Sequence, residues 1–147
     1  MKFTQSFVHF ATTVSIVVVT ASVHAESATI ADGFYAVESQ MVLPHLDEMR
    51  RVSEQHSTCI ANSDATLFFP VFDQPAMTGC GLHPEEIGTE TVAYKLICAG
   101  ANGATGTAKL SIRDGRVKGE LKAKMGGKNM TFSQYTDATR AGECPPT

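Results

Sequence analysis

The sequence predicts a mainly β protein: an antiparallel meander sheet or partial barrel with one or two short helices and two disulfides. Three observations predict it. Residues Thr105 to Ala138 read as two consecutive β-hairpins whose apolar and polar side chains alternate on consistent faces. Turn signals, not long helical periods, separate the apolar runs throughout. Four cysteines follow an export-like leader, an even number suited to pairing in an oxidising compartment.

In chain order, Met1-Lys2, the apolar stretch Phe7 to Ala21 and the small-residue site Val23-His24-Ala25 form a signal peptide pattern. The apolar stretch is shorter than the roughly 20 residues of a membrane span. Cleavage near Ala25 predicts a soluble domain, Glu26 to Thr147, that is periplasmic or secreted.

Gly33 opens a strand carried by Phe34, Tyr35 and Val37 to about Met41, and Pro44 stops it. Leu46 to Gln55 is charged, with Leu46, Met49 and Val52 three apart, and reads as a loop with helical turns. Ser57 to Ala61 is a short strand. Asn62 or Ser63 caps a short helix from Asp64 to about Phe69, ended by Pro70. Leu67, Phe68, Phe69, Val71 and Phe72 form the densest apolar cluster after the leader, and Asp73 to Thr78 reads as loop.

Cys80 starts or lies in a strand, residues His83 to Gly88 connect it, and Glu90 to Cys98 is the next strand. A hairpin centred on Thr89 sets Cys80 opposite Cys98, which favours the pairing Cys80–Cys98 with Cys59–Cys144. Three connectivities are open to four cysteines. The loop Asn102-Gly103-Ala104 then sets Leu96 against Leu110, with a left-handed residue and a bulge in the loop.

Asp114-Gly115 is a two-residue turn signal, because a type I′ turn needs positive φ at both central positions. It sets Arg113 opposite Arg116, and outward from there Ile112 faces Val117, Leu110 faces Gly119 and Ala108 faces Leu121. The other face pairs Ser111 with Lys118 and Lys109 with Glu120, the latter an opposite-charge pair worth about 0.2–1 kcal/mol. Across Gly126–Asn129, a two-residue and a four-residue turn both keep Met125, Met130 and Phe132 on the apolar face. The tail from Thr139 is short and returns Cys144 to be tied down.

An ordered set of motifs resembles the bacterial exported proteins grouped as domain of unknown function 3617. These are Gly33-Phe34-Tyr35, Thr58-Cys59-Ile60, Cys80-Gly81, Ile97-Cys98-Ala99-Gly100, the Gly-rich hairpins and the ending Gly142-Glu143-Cys144-Pro145. The resemblance implies a fold and an extracytoplasmic compartment, and no catalytic residues.

Chemistry-bearing patterns are sparse. His45, His56 and His83 lie at irregular spacing among polar residues and read as solvated. There is no Gly-x-Ser-x-Gly elbow and no phosphate-binding glycine loop. No catalytic residue, metal or cofactor is expected, and nucleic acid is not expected as a partner. A small enzyme, the least favoured reading, would need those histidines gathered in one pocket.

The favoured expectation is a non-catalytic binding protein for an apolar ligand or protein segment. Leu67, Phe68 and Phe72 would meet the sheet residues Leu110, Leu121 and Phe132. The alternative is an envelope protein that binds an anionic partner through a basic sheet face of Lys109, Lys118, Lys122 and Lys124, with Arg113 and Arg116. Charge supports such a face. Residues Glu26 to Ala104 carry three basic and eleven acidic side chains, whereas Thr105 to Thr147 carry eight basic and four acidic.

Overall fold

The computed structural model describes residues 26–44, 51–100, 103–126 and 130–146. The expected signal peptide and His45 lie outside these residues, as does Asn102. Among the described residues, seven strands form one open antiparallel sheet: β1 (Gly33–Val42), β2 (Arg51–Ile60), β3 (Cys80–Ile87), β4 (Thr91–Cys98), β5 (Thr105–Arg113), β6 (Arg116–Lys124) and β7 (Thr131–Gly142). Their order is β2-β1-β7-β6-β5-β4-β3. Strands β3 to β7 run as a meander. The first strand pairs with the last, placing the β1–β2 hairpin on the far flank.

The C-terminal hairpins have the register that alternation requires. Asp114 and Gly115 adopt φ of 50° and 74°, and Leu110 faces Gly119 while Ala108 faces Leu121. The Met125 amide donates to the Met130 carbonyl at 2.9 Å, so the four-residue form of the next turn is the one adopted. Its residues 127–129 lie outside the described set.

Alternation puts one face of the sheet indoors. Tyr35 and Val37 of β1, Tyr94 and Leu96 of β4, Leu110 of β5, Val117 and Leu121 of β6 and Phe132 of β7 are all buried. The lid over this inner face follows from strand order. Strands β2 and β3 are the two outermost, so the chain between Ile60 and Cys80 must cross from one edge to the other. It does so carrying Phe68, Phe69, Val71 and Met77, all buried. Tyr35 meets Phe68 edge to face, with ring centroids 5.2 Å apart. The segment before β1 also docks. The Ala28 amide donates to the Gly88 carbonyl at 2.8 Å, and the Ser63 hydroxyl to the Ile30 carbonyl at 3.1 Å.

Several local expectations are corrected. Residues Arg51–Gln55 are strand, not loop with helical turns, because β1 offers a complete ladder and every residue from Gly33↔Ile60 to Val42↔Arg51 is paired. The expected helix from Asp64 to Phe69 is a 3₁₀ turn over Ala65–Phe68, with Asp64 as its cap: its carboxylate accepts the Thr66 amide at 3.0 Å. Asn62 and Ser63 take left-handed φ of 56° and 55° and do not cap. Pro70 begins a second turn rather than ending the first, and Pro75 begins a third in the stretch read as loop. Proline's fixed φ suits a first helical position.

Strand β3 runs on through His83 to Ile87, with a bulge between Pro84 and Glu86, and the sheet tolerates the proline at its edge. Strand β7 continues past Ala138 to Gly142, paired to β1. Leu96 faces Gly106, not Leu110, and it is Val92 that faces Leu110. The shift of four residues is even, so each side chain keeps its face. The Gly103 amide turns back onto the Gly100 carbonyl at 3.3 Å, and Gly100 has φ of 92°. Strand β4 ends at Cys98 and β5 begins at Thr105, so the connection is longer than three residues.

Both disulfides have the favoured pairing. Cys59–Cys144 links residues 85 apart and Cys80–Cys98 residues 18 apart. The second joins directly opposed positions of β3 and β4.

Candidate functional site

The centre of the inner face is closed by side chains. Phe69 reaches the sheet above Gly119, where a Cβ would come within 2.9 Å of the Phe69 ring, 2.7 Å of Leu110 and 2.5 Å of Thr136. With Phe68, Leu110 and Leu121 fully buried, no ligand space exists there. Of the six apolar positions expected to form a binding surface, Leu110, Leu121 and Phe68 are core. Leu67 is 37% exposed, and Phe72 is half-buried at the core's margin. Phe132 lines a pocket.

That pocket, of about 440 Å³, lies farther along the inner face, at the end where β6 and β7 turn. Its apolar walls are Met41 and Leu43 from β1 and its end, Val71, Ala76 and Met77 from the lid, and Met125, Met130 and Phe132 from the β6–β7 hairpin. The local sequence explains why space remains. After Phe72 the lid carries Asp73, Gln74, Pro75, Ala76 and Met77, with no further aromatic to fill the gap. Four methionines give the walls flexible, polarisable side chains that can repack around differently shaped apolar guests.

Polar groups at the pocket are Ser39, Glu54, Gln74 and Gln134. Gln134 is 3% exposed, and its side-chain oxygen accepts the Val71 amide at 3.3 Å. One buried glutamine thus ties the lid to the sheet at the pocket floor. An apolar cavity with few polar groups is the ordinary form of a small-molecule site. Sequence reasoning places Met125 and Met130 on the apolar face but does not bring Met41 and Met77 to them, because no local periodicity connects positions so far apart.

The opposite face is basic, as alternation requires. Lys109, Arg113, Arg116, Lys118, Lys122 and Lys124 are all exposed on it. Carboxylates divide this face. Arg116 donates two hydrogen bonds to Asp137, each 2.7 Å, Lys118 lies 3.8 Å from the same carboxylate, and Arg113 is 3.3 Å from Glu90. The hydrogen bond from Arg116 holds the Asp137 carboxyl below its ordinary range. Glu120 sits opposite Lys109 in register, but its ion pair is with Lys122 at 3.0 Å, which lowers its pKa. The expected Lys109–Glu120 ion pair is thus replaced by one along β6. These pairs are largely solvated and contribute little to stability.

The Arg113 end of the face is therefore close to neutral. Toward the other end Lys95 and Lys124, and in the middle row Lys109, form no ion pair among the described residues.

His56 and His83 lie on β2 and β3, the two outermost strands. No group of three His, Cys, Asp or Glu side chains is placed to hold a metal among the described residues. No helix among them is long and apolar enough to cross a membrane. No family model, curated protein or solved structure matches the chain.

Proposed function

We propose that this protein is a non-catalytic binding protein of an oxidising, extracytoplasmic compartment, and that it holds an apolar ligand or protein segment in the methionine-lined pocket. The observation that carries the reading is the pocket itself: about 440 Å³ of mostly apolar space beside a fully packed core. The two disulfides support the compartment. Kinship with the domain of unknown function 3617 proteins belongs to the same proposal and rests on the sequence motifs.

Uptake of the neutral fluorescent probe N-phenyl-1-naphthylamine tests the reading. The expected result is saturable emission enhancement that Ala76→Trp reduces at least tenfold. Ala76 is an exposed lining residue, so tryptophan there fills the pocket without disturbing the core. Absence of saturable uptake, or uptake indifferent to Ala76→Trp, would sink the proposal.

A further inference from the structure

We infer that Met130 is an oxidant-sensitive site on the pocket wall, and that converting its thioether to a sulfoxide with hydrogen peroxide releases an apolar ligand. This rests on the pocket reading and adds a regulation of the same site.

All four methionines among the described residues, Met41, Met77, Met125 and Met130, line this one pocket. All four cysteines are closed in disulfides, so thioethers are the readiest reductants left in the chain. Exposure then ranks the four. Met130 is 45% exposed and Met77 only 2%, while Met41 and Met125 are half-buried. Pairing places Met130. It stands just ahead of β7, and its carbonyl accepts the Met125 amide. Phe132, two residues on and so turned to the same face, is buried. Met130 thus belongs to the inner face yet meets solvent, at the open end of the pocket.

The step balances with hydrogen peroxide as the oxidant. The Met130 sulfur attacks one peroxide oxygen, so a sulfur–oxygen bond forms and the oxygen–oxygen bond breaks. Sulfur gives up two electrons. The displaced hydroxide takes the proton from the transferred oxygen and leaves as water. The product is polar where the wall is not. Met125 and Phe132, the lining residues beside Met130 on the hairpin, offer a sulfoxide oxygen no side-chain donor. Gln134 is the first polar lining residue along β7, four residues on and so about 13 Å away by strand rise. A buried polar group without a partner is costly. The oxygen therefore draws water to this end of the pocket, and an apolar guest loses its dry wall.

Purified protein treated with hydrogen peroxide, cleared of it by catalase, mapped by peptide mass spectrometry and titrated with N-phenyl-1-naphthylamine tests this. Met130 should oxidise about tenfold faster than Met77. Protein oxidised at Met130 should bind the probe about fivefold more weakly, with its circular dichroism spectrum retained. Methionine sulfoxide reductase should restore the affinity. Met130→Leu, whatever its starting affinity, should show no change after peroxide, and Met130→Gln should bind as weakly as the oxidised protein. Oxidation of Met130 no faster than Met77, uptake that survives Met130 oxidation, or a loss that persists in Met130→Leu overturns the inference and leaves the pocket reading standing. Loss of the circular dichroism signal together with uptake means unfolding and also overturns it. Absence of saturable uptake before treatment removes the inference together with the pocket reading.

Discussion

Gly119 lets Phe69 reach the sheet. No positive φ is needed at this position; what matters is that nothing projects from it. A side chain would have to displace Thr136, Leu110 and Phe69 together, and cores resist such overpacking by about 1–3 kcal/mol. Gly119→Val should therefore lower the thermal midpoint by several degrees, measured by circular dichroism, whereas Ala76→Trp should leave it nearly unchanged. From sequence, Gly119 is legible as a small residue opposite Leu110. That an aromatic ring fifty positions earlier comes to cover it is not legible, because no local preference links the two.

The crossing segment shows how an element can be read for composition and misread for form. Its apolar cluster is evident, and so is its capping aspartate once the structure is known. Yet it is three proline-punctuated 3₁₀ turns, held by the sheet beneath. Gln134 is the tie. Replacing it with leucine leaves the buried Val71 amide without its acceptor, a loss of about 1–3 kcal/mol. Gln134→Leu should speed amide hydrogen exchange in residues 70–77 while β5 and β6 keep their protection. Equal acceleration everywhere would mean that the glutamine supports the whole sheet rather than the lid. Strand β2 teaches the converse: its charged, weakly patterned start becomes strand because β1 offers ten residues to pair with.

At the scale of the molecule, two covalent links hold an open sheet. Cys80–Cys98 ties one hairpin, while Cys59–Cys144 joins β2 to the C-terminal tail across 85 residues. By loop-closure entropy the short link is worth about 3 kcal/mol and the long one about 4–5 kcal/mol, before strain. Urea unfolding should show a larger loss of stability for Cys59→Ser/Cys144→Ser than for Cys80→Ser/Cys98→Ser; the reverse order would place the main constraint in the hairpin.

The sequence by itself determined the antiparallel class, the hairpin at Asp114-Gly115 and the inward and outward faces of β4 to β7, and it favoured one of three cysteine pairings. These follow from turn stereochemistry and a two-residue period, which act over a few neighbouring residues. Only the tertiary structure decided the strand order, the seat of β1 against β7, the passage of residues 61–79 over the inner face and the gap left among four methionines. Each of these depends on which surfaces meet across about a hundred residues of chain. Local patterns leave such meetings open, and only the packing of the whole sheet selects among them.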